Sequence, residues 1–325
     1  MTALYAVLPN DIDDAATPSG GNLYDRRVLT GLVALGWSVR EIGVPGAWPT
    51  PTDGELAGLA AALASVPDGG IVLVDGLVGS AAAAVLVPAA ARLRLVLLVH
   101  LALDTPGEAA VLTAARAVVT TSPWTRLPVP AQVATPGVDP APLAPPSPAG
   151  DRLLCVAAVA AHKGQDRLSA ALAAVPEPFT CTYVGSLTRE PDFVAALRLR
   201  LDPRIRLAGV LAGPDLAAAY GRADLLVSAS RGETYGMVAT EALARGIPVL
   251  AVRVGGLPVA VGHAPDGTVP GLLVEPDELA GAVRRWLTDA GLRERLRRAA
   301  RARRETLTGW DVTARIVSGV LAAAA

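Results

Sequence analysis

Lysine is almost missing from this chain. Of 29 basic residues one is lysine, at position 163, and the rest are arginine. Where arginine is the default cation, a position that keeps a compact, strongly hydrated ammonium is a candidate for a specific charge contact. Cysteine is scarce too. Cys155 and Cys181 both sit in apolar, strand-like runs, which reads as buried thiols and argues against a disulfide or a cysteine metal site. Charged residues make up only 18% and hydrophobic ones 52%, which excludes a disordered chain. No apolar run reaches the roughly 18 residues that a spanning helix needs. No basic segment followed by an apolar stretch opens the chain, so the expectation is a cytoplasmic protein with no transmembrane segment. There is no basic excess either: residues 1–150 carry a net −5 and the remainder +4. That balance argues against nucleic acid and gives the first half no attraction to an anionic membrane. A Gly-x-Gly-x-x-Gly signature after the first strand-like run is also absent, which disfavours a dinucleotide dehydrogenase.

What is abundant is alanine, valine and leucine, arranged as short strand-like runs alternating with helical ones. In the first half the runs Ala3–Leu8, Ser38–Val44, Gly70–Asp75, Arg94–His100, Ala117–Thr121 and Gln132–Ala134 read as strands. Helices are predicted from Asn22 to Leu35, from Asp53 to Ala64 and near Ala81–Ala90. Prolines then crowd one stretch, Pro128 to Pro148, with the character of a semi-rigid linker. The alternation restarts with Arg152–Ala158, Phe179–Gly185, Ile205–Gly209, Asp224–Ser228, Pro248–Val254 and Gly271–Val274. A helix is predicted from about Tyr235 to Arg245 and a long helical stretch over Glu278–Thr306, before an amphipathic segment from Trp310. The fold class is α/β: two Rossmann-like, doubly wound parallel-sheet domains facing across a cleft. The first spans residues 1–145 and is joined by the tail 308–325. The second spans 150–307.

Chemistry concentrates in Ser228-Ala-Ser-Arg-Gly-Glu-Thr-Tyr-Gly-Met-Val-Ala-Thr-Glu-Ala-Leu. A strand ends near Ser228, a loop carries Glu233, and a helix is predicted to open around Thr234 to Gly236 with Glu241 inside it. A helix start offers unpaired N–H groups to phosphate, and two carboxylates beside it accept hydrogen bonds from sugar hydroxyls. Taken singly, Glu233 and Glu241 would be a solvated loop acid and a helix-surface acid. Their setting changes that reading.

The segment resembles the Glu-x7-Glu motif of the family-4 retaining glycosyltransferases, which have the GT-B fold. The likeness runs along nearly the whole chain: Pro18-Ser-Gly-Gly-Asn22, Gly36-Trp-Ser-Val39, His100 at a strand end, Thr120-Thr-Ser-Pro-Trp124 and Pro136-Gly-Val-Asp139 come first. His162-Lys-Gly164, Gly185, Gly209, Ala223-Asp224, Gly255-Gly256 and Gly271-Leu-Leu-Val274 follow in order. The resemblance implies transfer of a hexose-type sugar, with retention and without a metal or other cofactor, from a UDP- or GDP-sugar. The acceptor, whether small molecule, glycan or lipid-linked, stays open.

By the same resemblance Glu241 holds the nucleotide ribose, Glu233 meets the donor sugar, and Lys163 neutralises the diphosphate. Thr234 and the backbone from Tyr235 through Gly236 and Met237 to Val238 contact sugar and phosphate. Gly20 and Gly21 approach the diphosphate, and His100 is an active-site histidine. Two positions depart from the family pattern. Ala158-Val159 stands where a Gly-Arg pair is usual, with Arg231 as a candidate substitute, and Val259 stands in place of a glutamate. Within the fold, an epimerase or a catalytically weak sugar-nucleotide-binding subunit is the alternative reading. A phosphorylase using pyridoxal phosphate is rejected, because the single lysine sits in a phosphate-binding context.

Overall fold

The computed structural model describes residues 2–16 and 18–325. The chain divides into two units. Unit 1 comprises residues 2–14, Ser19–Gly137 and Gly309–Ala325, and unit 2 comprises residues 15–16 and 18 together with Val138–Thr308.

In unit 1 the order is β1 (Ala3–Pro9), α1 (Gly20–Ala34), β2 (Ser38–Val44), α2 (Asp53–Ala64), β3 (Ile71–Asp75), α3 (Gly76–Ala81), α4 (Ala83–Ala89), β4 (Arg94–Val99), α5 (Pro106–Ala114), β5 (Ala117–Thr120) and β6 (Gln132–Val133). The strands form one parallel sheet in the order β2-β1-β3-β4-β5-β6. β3 is buried along its whole length, the signature of a strand covered by helices on both faces.

Unit 2 continues with β7 (Arg152–Val156), α6 (Gln165–Ala173), β8 (Thr180–Val184), α7 (Pro191–Arg198), β9 (Ile205–Gly209), α8 (Gly213–Gly221), β10 (Leu225–Ser228), α9 (Met237–Leu243), β11 (Val249–Val252), α10 (Leu257–Val261), β12 (Gly271–Val274), α11 (Leu279–Thr288) and α12 (Ala290–Arg304). Its sheet is also parallel, ordered β12-β11-β10-β7-β8-β9. Counted within the unit this is the 3-2-1-4-5-6 order of doubly wound nucleotide-binding sheets, and its reversal point lies between β7 and β10.

The last helix, α13 (Trp310–Ala324), belongs to unit 1. Val317, Leu321 and Ala324 sink into the same apolar cluster as Leu4, Ala6, Val28 and Leu32. Thr313 Oγ1 donates to the Thr135 carbonyl at 2.7 Å, and Trp37 Nε1 donates to Ser318 Oγ at 2.9 Å.

Several elements differ from the sequence expectation. The helix near residues 81–90 is two short helices broken at Ala82. The stretch 278–306 divides at Asp289, whose carboxylate accepts from the Leu292 amide and starts α12 anew. Helix α5 went unpredicted, although Thr105 caps it and Pro106 suits its first turn. α9 is shorter than the predicted 235–245. Gly236 before it has φ +101°, a left-handed conformation that cannot extend a helix of L-residues.

Asp224 anchors the proline-rich stretch to unit 2. Its fully buried carboxylate accepts from the Ser147 amide and hydroxyl, both at 2.6 Å, and from Arg152 Nε at 3.0 Å.

Candidate active site

Loops that leave the carboxyl ends of β7 and β10, at the reversal point of unit 2, are where such sheets bind ligands. Lys163 lies on the first of these loops and Glu233 on the second. The Lys163 ammonium meets the Glu233 Oε2 at 2.9 Å, with the two side chains 23% and 17% exposed. The two loops are joined by their backbones as well, since the Arg231 amide donates to the His162 carbonyl at 2.8 Å. Arg231 is bidentate on Asp166 at 2.8 and 2.7 Å and also donates to the Ala161 carbonyl. That partnership holds the Asp166 carboxyl below the usual range. Arg231 thus braces the lysine loop through Asp166 and the Ala161 carbonyl.

Glu233 is held from its other side by Gly255-Gly256. The Gly256 amide donates to the Glu233 carbonyl at 2.8 Å. A methyl at Gly256 would overlap the Thr234 carbonyl, so only glycine allows the two loops to pack. Tyr235 is buried, while Thr234, Met237 and Val238 keep partial exposure beside Gly236. Glu241, on α9, accepts from the Tyr220 hydroxyl at 2.6 Å. Arg245 stacks its guanidinium 4.6 Å from the Tyr220 ring centre. Burial raises the Glu241 carboxyl, against the lowering effect of Tyr220 and Arg245. Val159 is wholly buried in the apolar core of unit 2, beside Leu168 and Leu172. Position 159 therefore faces core in this chain. The thiols of Cys155 and Cys181 are free and buried, and burial pushes Cys155 up to about 12, so neither is a nucleophile at neutral pH.

The remaining candidates lie in unit 1. His100 follows β4, and Gly21 lies against its ring: a methyl at Gly21 would sit 3.5 Å from His100 Cδ2. Two acids that the sequence reading did not single out join them. His100 Nε2 is 2.7 Å from Asp25 Oδ1 and 3.5 Å from Asp75 Oδ2. Asp75 also caps α3, accepting from the Leu77 amide at 2.9 Å. Each acid left a trace in the sequence. Asp25 is a charge on the buried face of α1, next to Tyr24 and one turn before Val28 and Leu29. Asp75 ends an otherwise apolar strand.

Comparison with known proteins bears on both units. Residues 150–289 match the family described as Glycosyl transferases group 1. The D-inositol 3-phosphate glycosyltransferase of Jonesia denitrificans is 35% identical over 212 residues, 56% of this chain and 49% of that protein. Its counterpart from Streptomyces avermitilis is 40% identical over 145 residues, 43% of this chain and 30% of that protein. The chain thus spans about half the length, or less, of these curated relatives. Sucrose-phosphate synthase from Thermosynechococcus elongatus superposes with a TM-score of 0.79 at 20% identity, over 98% of both chains. HepE from Anabaena, in complex with UDP and glucose, superposes at 0.73 and 17%, over 99% of this chain and 100% of that one. Identities that low establish shared fold, and the fold is GT-B, built from two Rossmann-like parallel-sheet units. No helix among the described residues is long and apolar enough to cross a membrane.

Proposed function

We propose that this chain is a retaining, metal-independent glycosyltransferase that moves a hexose-type sugar from a nucleoside-diphosphate sugar to an acceptor hydroxyl. The observation that carries the reading is the Lys163–Glu233 pair at the reversal point of the unit 2 sheet, within the segment that matches the glycosyl transferase family.

The pair works as an exchange of partners. With no donor bound, the ammonium of the chain's single lysine is neutralised by Glu233. A diphosphate brings more negative charge than one carboxylate, so it competes for Lys163, which meets it as a point charge. Glu233 is then released to accept hydrogen bonds from the hydroxyls of the donor sugar. Tyr220 occupies one oxygen of Glu241 and leaves the other for a ribose hydroxyl. The left-handed Gly236 turns the chain so that backbone beside Met237 and Val238 is presented to sugar and phosphate.

The chemistry is a front-face displacement. The bond from the anomeric carbon to the diphosphate oxygen breaks, and a bond to the acceptor oxygen forms on the same face. The acceptor proton passes to the departing phosphate. Lys163 stabilises the charge that develops on that phosphate, the role a divalent ion has in metal-dependent transferases. UDP-glucose is the first donor to try, because the Anabaena neighbour was solved with UDP and glucose.

The test is calorimetric titration of the wild type and Lys163→Ala with UDP, GDP, ADP and TDP, then with the corresponding sugars. Binding of one diphosphate to the wild type, lost or much weakened in the variant, supports the reading. No binding of any of them at millimolar concentration sinks it.

A further inference from the structure

The strongest cluster of titratable groups outside the Lys163 loop is the trio around His100. Asp25 comes from α1, Asp75 from the end of β3, and both lie on the same ring nitrogen, Nε2. Their side chains are 2% and 5% exposed, against 15% for His100. Tyr24 packs edge-on to the imidazole, with ring centres 5.2 Å apart, but spends its hydroxyl on the Ala134 carbonyl at 2.7 Å. Nδ1 has no hydrogen-bond partner among the described residues, and the Gly21 backbone lies against the ring.

Two buried carboxylates beside a neutral imidazole would leave two uncompensated negative charges in an apolar setting, which is expensive. A proton on each imidazole nitrogen, with a second proton shared onto Asp75, makes the trio neutral. We propose that Asp25 and Asp75 are positioning residues that keep His100 an imidazolium, so that Nδ1–H is a cationic hydrogen-bond donor to a substrate oxygen. This rests on the reading of His100 as an active-site residue. It also makes His100 a poor general base, since Nδ1 already carries its proton.

The directions of titration agree with the geometry. Burial alone would lower the His100 imidazole, but Asp25 and Asp75 outweigh it and push it up to about 8. Burial and the charge of Asp25 raise the Asp75 carboxyl to about 7, against the lowering effect of His100 and the Val78 and Leu77 amides. The groups that face the imidazole are Asp25 and Tyr24 from α1 and Asp75 from β3. A raised imidazole is fully charged below its ordinary 6.5 and loses its charge as pH rises through about 8.

The chain has three histidines, so imidazole NMR can follow each, with His100 assigned by its loss in His100→Gln. The expected result is a His100 midpoint near 8 in the wild type, falling by about one pH unit or more in Asp25→Asn. Transfer by Asp25→Asn should drop at least about tenfold at pH 7.5, with its alkaline limb moved to lower pH and its affinity for UDP within about twofold of wild type. Asp75→Asn serves if Asp25→Asn does not fold, with a smaller shift of the same sign. A wild-type midpoint at or below 6.5 overturns the proposal, as does an unchanged midpoint in both variants. Saturable binding of Zn²⁺ or Mn²⁺ at His100 at micromolar concentration also overturns it, because the trio would then be a metal site. Absence of transfer by the wild type with every donor would sink the transferase reading, while the NMR midpoint still decides the charge of His100.

Discussion

Lys163 and Glu233 are 70 positions apart in sequence and 2.9 Å apart in space. They meet because β7 and β10 are neighbours at the centre of the unit 2 sheet, pairing Leu225 with Leu153 and Leu226 with Leu154. Each loop then needs only a short run beyond its strand to bring the two charges together. Several consequences can be measured.

Lys163→Ala should weaken nucleoside-diphosphate binding by at least about tenfold, or 1.4 kcal/mol. Lys163→Arg should recover only part of the loss, because a planar fork does not replace a compact ammonium. Calorimetry reads both. Affinity unchanged in Lys163→Ala would remove the lysine from the donor site.

Glu233→Gln should cut kcat by about 100-fold while leaving the dissociation constant for the nucleotide within about threefold. The carboxylate is assigned to the sugar and has no role in holding the diphosphate once donor is bound. A large loss of nucleotide affinity would show that role to be misassigned.

Gly256→Ala should lower stability by about 1–3 kcal/mol and reduce transfer as well, since the added methyl would overlap the Thr234 carbonyl and displace the Glu233 loop. Gly58→Ala is the control. It lies inside α2 with open space around it, so the same change should raise stability by about 0.5–1 kcal/mol. Thermal unfolding of the pair separates a packing effect from a general effect of glycine replacement.

Asp224→Ala should cost about 3–5 kcal/mol, because it leaves Arg152 and Arg297 beside an emptied, buried position. Burial alone would raise the Asp224 carboxyl. The hydrogen bonds from Arg152 and Ser147 outweigh it and hold the group below its ordinary 3.8. A lowered carboxyl stabilises the fold fully above that ordinary value, and the contribution is lost as pH falls below it. Denaturant unfolding of wild type and variant should therefore differ most at neutral pH and converge as pH falls well below 3.8.

Much of this architecture was legible in the residues. Ser38–Val44, Asp53–Ala64, Ile205–Gly209 and Gly271–Val274 form as expected, because short strand-like runs bounded by turn residues read as strands even at a sheet edge and α2 carries a full capping box at Thr52 and Glu55. The break at Asp289 was not legible, since the apolar stripe continues on both sides of it. Lys163 and Glu233 stood out, one as the lone lysine and the other by its motif. Asp25 and Asp75 did not. A single acid on an apolar face carries no spacing signal, and only the β1-β3-β4 adjacency brings both to His100.

The placement of α13 bears on how the polypeptide is assembled. The whole unit 2 sheet comes from one continuous run, Val138–Thr308, so it can be completed while the chain is still being made. Unit 1 begins earlier but remains open, because its apolar cluster lacks Val317, Leu321 and Ala324 until the segment after Thr308 emerges. The half that starts first therefore finishes last. A truncation at Thr308 would strike the sheet that holds His100 and spare the one that holds Lys163.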